Sequence, residues 1–228
     1  MFLRLLTASD GLIKLITVAP ELEHAMDFIR EFSSNVRISL GHTTCDYATA
    51  ALAFSAGAKQ ITHLYNAMPP FHHREPGLIG AGMDAHATAE LICDGIHISP
   101  SALRAAIALF GADSIIFISD SMMATGMPDG NYTLGGLPVH VTGNLATLAD
   151  GTLAGSATNL MDCVRTAVTK MNIPLETAIQ CATINPAKAI GEDRASGSIE
   201  IGKYADLVLL EEDTLAVRTV ISHGTILS

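Results

Sequence analysis

The sequence predicts an α/β protein built on parallel strands, a partial barrel in preference to an open sheet, and two observations carry that prediction. From residue 12 to residue 120 one unit recurs: a short β-branched apolar run, a polar or glycine-bearing tip, then a longer Ala-rich stretch with helical periodicity. That is the pattern of successive βα units. The same stretch holds no G-x-G-x-x-G and no G-x-x-x-x-G-K-[ST], the Gly-rich turns by which an open nucleotide-binding sheet usually declares itself.

Five strands are predicted, over 13–18, 37–40, 60–62, 89–93 and 114–118, and each delivers polar side chains at its carboxyl end. Helices are predicted over 22–32, 46–55 and 101–110. The last opens with Ser99-Pro100, a cap residue followed by a proline suited to the first turn. Beyond Asp120 the Gly- and Thr-rich alternation of 132–148 predicts a hairpin, helices return over 157–171 and 175–190, and 206–210 and 217–221 are the clearest strands of the final stretch. Five units fit a partial (β/α)8, TIM-like barrel, because the closed fold needs eight strands and about 250 residues. An open doubly wound sheet is the alternative that five strands would satisfy without addition. The expected division is a partial barrel over 1–190, with a hairpin insertion near 130–150, and a C-terminal segment of a small β-sandwich over 191–228.

The 228 residues are 49% hydrophobic and 16% charged, enough apolar material for one sizeable core or a core with a small satellite. Thirteen Lys and Arg against 23 Asp and Glu give a net charge of −10 with the acids spread along the chain, which argues against a nucleic-acid partner. Cys45, Cys93, Cys163 and Cys181 are far apart and form no C-x-x-C pair, so they are expected to be buried thiols. No apolar run reaches membrane-spanning length and the amino-terminal one is too short for a signal sequence, so no membrane partner and a cytoplasmic location are expected.

His42 and His63 end successive predicted strands and Asp120 ends a later one, so a closing barrel would bring them to one rim. Two neutral imidazoles and a carboxylate are what a divalent metal and its activated water require. Asp120 is the natural general base, able to take a proton from that water and return it to a leaving amine. Singly, each residue has an ordinary reading, a histidine bonded to a loop backbone or an aspartate capping a helix. Three such groups in one repeated structural position favour chemistry.

The run Thr62-His63-Leu64-Tyr65-Asn66-Ala67-Met68-Pro69 resembles the THLYNAMP signature of the N-acetylglucosamine-6-phosphate deacetylases, amidohydrolases of phosphorylated amino sugars. Gly41-His42, Arg74-Glu75-Pro76-Gly77, Asp94-Gly95-Ile96-His97, Ser119-Asp120, Leu153-Ala154-Gly155-Ser156, Asn185-Pro186-Ala187 and Gly202-Lys203-Tyr204-Ala205-Asp206 extend the resemblance in the same order. It implies hydrolysis of N-acetylglucosamine 6-phosphate to glucosamine 6-phosphate and acetate, in amino-sugar catabolism. It further implies a divalent metal, zinc with iron or another divalent ion as alternatives, on His42 and His63, with Asp120 as acid/base. The sugar phosphate would meet the backbone of Asn66 and Ala67, Arg74, Asp94 and His97, with Leu153, Ala154 and Gly155 forming part of the wall. A homodimer is implied as well, with Arg74 reaching the neighbouring site.

The family's chains are longer at the amino end, where they supply about three more barrel strands, half of the β module and a glutamate metal ligand in an LHLEGP-like segment. With two histidines and no such carboxylate, the alternative expectation is an inactive truncated remnant that keeps sugar-phosphate binding or dimerisation. Glu21, at the end of the first predicted strand, is a candidate carboxylate behind the ligands. A third reading, an amidohydrolase of cyclic amides, is opposed by the THLYNAMP run and the arginine-containing loop.

Overall fold

The computed structural model describes residues 1–227. Strands β1 (Leu15–Val18), β2 (Arg37–Leu40), β3 (Gln60–Ile61), β4 (Thr88–Ile92) and β5 (Ile115–Ile118) form one parallel sheet in the order β1-β2-β3-β4-β5. The register runs from Leu15 opposite Arg37 to Ala89 opposite Ile115. Strands laid down in strict sequence order are an arc of a (β/α) barrel, because a doubly wound sheet reverses direction about its first strand. The barrel expectation holds and the open-sheet alternative falls.

Each crossover helix forms for reasons visible in its residues. Helix α2 (Ala25–Phe32) buries Ala25, Ile29 and Phe32 while Asp27 and Arg30 pair at 3.1 Å on the outer face. Asp46 caps α3 (Tyr47–Ser55) by accepting the Thr49 N–H at 2.8 Å, and Ser99 caps α5 (Pro100–Phe110). Two helices were not expected. In α1 (Phe2–Ala8) Phe2 packs edge-on against Phe28 and Phe32, at 5.0 and 4.9 Å between ring centres. In α4 (Gly77–Asp84) three glycines hide the helix from propensity. A Cβ on Gly82 would lie 2.4 Å from Ile61 Cδ1, so this glycine lets α4 press onto β3.

The core sits between sheet and helices, where Ile38, Leu40, Ile61, Leu91, Ile115 and Phe117 are buried. Burial of each contributes about 1.5–3 kcal/mol. On β2, β3 and β4 these apolar residues alternate with Arg37, Ser39, Gln60, Thr88 and Glu90, so the other sheet face, the barrel interior, is polar. Arg37 Nε donates to Gln60 Oε1 at 2.6 Å and its Nη2 to Thr88 Oγ1 at 2.7 Å, while Gln60 Nε2 donates to Glu90.

The predicted hairpin is a three-stranded antiparallel sheet of β6 (Gly130–Leu134), β7 (Leu137–Thr142) and β8 (Leu145–Thr147). Met122, Ala124, Val139, Val141, Ala146, Ala154 and Ala157 give it a small core of its own. Helix α6 (Leu160–Thr169) follows. The helix expected over 175–190 is broken into α7 (Leu175–Ala182) and α8 (Ile184–Ile190) at Thr183, whose φ of −128° and ψ of −82° leave the helical region. Pro186 explains the break, since it carries no N–H to continue the preceding helix. A last antiparallel sheet, in the order β11-β10-β9, comprises β9 (Leu207–Leu210), β10 (Val217–Ser222) and β11 (Thr225–Ile226). Among the described residues no helix is long and apolar enough to cross a membrane.

Candidate metal and sugar-phosphate site

The carboxyl ends of β2, β3 and β5 each turn through a left-handed residue: His42 at φ 50°, His63 at 31° and Asp120 at 50°. A non-glycine residue there costs about 1–3 kcal/mol, a conformation that persists only where surrounding contacts impose it. Gly41 shows one such contact. A Cβ at this position would lie 2.7 Å from Thr62 Cβ, so the ends of β2 and β3 approach more closely than side chains permit. The approach sets His42 against His63 with their Nε2 atoms 2.8 Å apart.

His63 is buried and His42 is exposed. Burial, and then the neighbouring His42 ring, hold the His63 imidazole below the ordinary histidine range, while the Asp120 charge pulls the other way. His63 is therefore neutral at pH 7. Its backbone N–H donates to Glu90 Oε2 at 3.3 Å, which ties the ligand-bearing turn to the polar barrel interior. Burial pushes the Glu90 carboxyl up, against the hydrogen bonds from His63 and Gln60 and the charge of Arg37. Glu90 belongs to this site and sequence reasoning passed it over. Its signal was a charged residue inside an otherwise apolar run, Ala89-Glu90-Leu91-Ile92.

The Nε2 atoms of His42 and His63 converge on one point, while the buried His63 Nδ1, a different atom of the ring, has no hydrogen-bond partner among the described residues. The pair fits two ligands of a divalent ion. No group of three His, Cys, Asp or Glu suited to a metal occurs among the described residues, whereas catalytic zinc normally takes three protein ligands.

Asp120 is exposed, and its backbone is clamped by the segment after Leu153. Ser156 N–H donates to the Asp120 carbonyl at 2.8 Å, the Ser156 hydroxyl donates to Ser119 O, and Met122 N–H donates back to Ser156 O at 2.9 Å. Gly155 takes φ 58° here, and a Cβ on it would meet Asp120 O at 3.5 Å. Leu153 is exposed and Ala154 buried, its N–H bonded to Ala146 O at 3.1 Å.

Asn66 shapes the turn after His63. Its Nδ2 donates to the carbonyls of His63 and Leu64, both at 3.2 Å, and Tyr65 and Ala67 flank it in left-handed conformations. Ala67 lines a cleft of about 520 Å³ with His42, Thr43, Thr44, Met68 and Pro69. Arg74 lies outside that cleft, exposed in an adjoining groove of about 1100 Å³, with Nη1 2.8 Å from His73 Nε2. Asp94 and His97 form a separate pair: Asp94 Oδ2 lies 2.7 Å from His97 Nδ1, and Oδ1 accepts the Ile96 and His97 N–H groups at 2.9 Å. Their side chains are 1% and 6% exposed, so Asp94 spends both oxygens inside its own loop.

A parallel barrel arc with paired imidazoles and a carboxylate at its strand ends places the chain in the class of (β/α)-barrel proteins whose strand-end residues can hold a divalent metal. The Amidohydrolase family model matches residues 14–227, and the chain belongs to that family. It is 42% identical over 215 residues to N-acetylglucosamine-6-phosphate deacetylase of Bacillus subtilis (strain 168), covering 93% of this chain and 54% of that protein. It is 39% identical to N-acetylgalactosamine-6-phosphate deacetylase of Escherichia coli O157:H7, covering 91% and 55%. In structure it is similar to a Mycobacterium smegmatis N-acetyl-D-glucosamine-6-phosphate deacetylase variant in complex with N-acetyl-D-glucosamine-6-phosphate. That match has a TM-score of 0.93 and 37% identity, over 99% of this chain and 60% of the other. The chain thus spans about half the length of the curated relatives it matches.

Proposed function

We propose that this chain carries the histidine, phosphate-binding and acid/base portion of an N-acetylglucosamine-6-phosphate deacetylase. The observation that carries the reading is the convergence of His42 and His63 at the carboxyl rim of the sheet, the rim at which Asp120 follows β5. His42 and His63 would hold the divalent ion, zinc or another. When bound, such an ion supplies Lewis acidity that polarises the acetamide carbonyl. Asp120 takes a proton from the attacking water and returns it to the sugar nitrogen as the amide C–N bond breaks, giving acetate and glucosamine 6-phosphate. Ala67, left-handed like Tyr65, lines the cleft beside His42, and this turn would receive the phosphate dianion. His97, fixed by Asp94, and Arg74 complete the phosphate recognition.

The exposure of Arg74 suits a guanidinium offered to the neighbouring site of a homodimer. A cytoplasmic place in amino-sugar catabolism, and the division into a barrel portion over 1–190 and a β-sandwich segment over 191–228, belong to the same proposal. A second reading, sugar-phosphate binding without turnover, is favoured by one observation: no third metal-binding side chain joins the two histidines among the described residues.

Acetate release by the purified chain, with and without zinc, tests both readings. N-acetylglucosamine 6-phosphate and its galactosamine epimer should be assayed side by side, because relatives named for each resemble this chain. Zinc-dependent release that Asp120→Asn abolishes while zinc binding survives establishes the deacetylase reading. Binding of the substrate without acetate establishes the second, and retained turnover in Asp120→Asn removes Asp120 from its role.

A further inference from the structure

Glu21 lies just beyond β1, and its side chain reaches across the rim to the turn that follows β2. Its carboxylate accepts from the Thr43 hydroxyl, from Thr44 N–H at 2.7 Å and from the Thr44 hydroxyl at 3.3 Å. Thr43 follows His42 directly and is 2% exposed. Its hydroxyl oxygen also accepts the Cys45 N–H at 3.0 Å, and its own N–H donates to the carbonyl of Ala67 at 3.1 Å. One threonine therefore ties three strand ends together: the β1 turn through Glu21, the β2 turn that carries His42, and the β3 turn that carries the proposed phosphate backbone. His42 sits in a left-handed conformation that its own side chain disfavours, so the adjacent bonds are what hold it there.

We infer that Glu21 is a positioning residue, acting through Thr43, that sets the His42 ring and the Asn66-Ala67 backbone together and so couples metal affinity to sugar-phosphate affinity. The inference rests on the deacetylase reading of these two loops. Glu21 touches neither ligand. A carboxylate is needed because three donors approach its two oxygens, and a glutamine oxygen replaces only one of them.

The test is calorimetric titration of the full chain with zinc alone, and separately of the metal-free chain with glucosamine 6-phosphate, a probe that cannot be deacetylated. Glu21→Ala and Thr43→Val should each weaken zinc by about 10- to 100-fold, the range for loss of a group that orients a metal ligand, and should weaken the sugar phosphate in parallel. Glu21→Gln should fall between wild type and Glu21→Ala, and Thr43→Ser, which keeps the hydroxyl, should restore both affinities. A purely structural role for Glu21 would lower the melting temperature and leave both affinities alone. If Glu21→Ala does not fold, the Thr43→Val and Thr43→Ser pair carries the comparison. Wild-type chain that binds neither probe overturns the site reading and this inference with it. Wild-type binding that both disruptive variants leave within about twofold, below the 10-fold floor expected, overturns the inference alone.

Discussion

The Nε2 atoms of His42 and His63 stand 2.8 Å apart, although the two residues are separated by a whole βα unit. Nothing in either ring favours that approach when both are neutral beyond a single shared proton. An ion between the rings would satisfy both lone pairs. Replacement of either histidine by glutamine is therefore expected to weaken zinc by more than about 100-fold, exceeding the loss expected for a group behind the ligands. Calorimetric titration of His42→Gln and His63→Gln measures it. Affinity unchanged in both variants would separate the histidine pair from any metal role.

Much of this arrangement is legible in the sequence, because strand ends announce themselves. The runs ending at Leu40 and Ile118 are β-branched and bounded by Gly41 and by Ser119-Asp120, and the predicted strands there match the structure to within a residue. Helix α4 is illegible because Gly77, Gly80 and Gly82 depress helical propensity, while Gly82 serves close packing on Ile61. The third strand of the small sheet follows Gly143-Asn144, a turn signal inside what reads as one hairpin. The candidate site divides the same way. His42, His63 and Asp120 share one repeated position, which periodicity exposes. The Glu21 bonds to Thr43 and Thr44, and those of Glu90 to Gln60 and His63, join different strands, and no local pattern states such pairings.

The Asp94–His97 pair sets a pH prediction. Burial pushes the Asp94 carboxyl up, but hydrogen bonds from the His97 ring, from His97 N–H and from Ile96 N–H outweigh it, and the net effect holds Asp94 below the usual aspartate range. A carboxylate depressed in the folded state stabilises it fully above its unfolded value, about pH 4, and that stability is lost as pH falls through the lower folded value. Asp94→Asn removes the titration. The stability gap between wild type and Asp94→Asn, read from urea midpoints, should be widest at pH 5 to 7 and shrink below about pH 4. A gap that stays constant down to about pH 3 would show that the carboxylate charge does not stabilise this loop.

Gly41 offers a steric test of the close approach that seats His42. A Cβ there would meet Thr62 Cβ at 2.7 Å, Thr62 Oγ1 at 3.2 Å and Thr17 Cγ2 at 3.3 Å. Thr62 cannot give way freely, since its hydroxyl bonds Ser39 Oγ at 2.6 Å and Thr17 Oγ1 at 2.9 Å. Gly41→Ala should destabilise the chain by about 1–3 kcal/mol, the usual range for overpacking. Gly82→Ala is the comparison, because its nearest obstruction is the terminal methyl of the buried Ile61 side chain, which can shift where Thr62 Cβ cannot, and alanine regains up to about 1 kcal/mol of helical propensity. Urea unfolding should therefore rank Gly41→Ala well below Gly82→Ala. The reverse order would mean that the β2 and β3 ends have room to part.

Asn185 supplies the last prediction. It is 3% exposed at the start of α8, and its Nδ2 donates to Ala112 O at 2.8 Å and Ile115 O at 2.7 Å, fixing α8 to the entry of β5 and hence to the strand that presents Asp120. Leucine at this position would strip a donor from two carbonyls, a change worth about 2 kcal/mol when such groups are left unsatisfied. Aspartate is nearly isosteric, yet at pH 7 it places a charged acceptor against the same two carbonyl oxygens. Asn185→Asp should therefore be the less stable variant at pH 7, despite its closer shape. Burial raises a carboxyl's pKa, so acidification should protonate the aspartate and supply one O–H donor. Urea midpoints at pH 7 and pH 5 are expected to show Asn185→Asp gaining on Asn185→Leu as pH falls. Aspartate equal to wild type at pH 7 would mean that shape, and not the paired donation, holds α8 to β5.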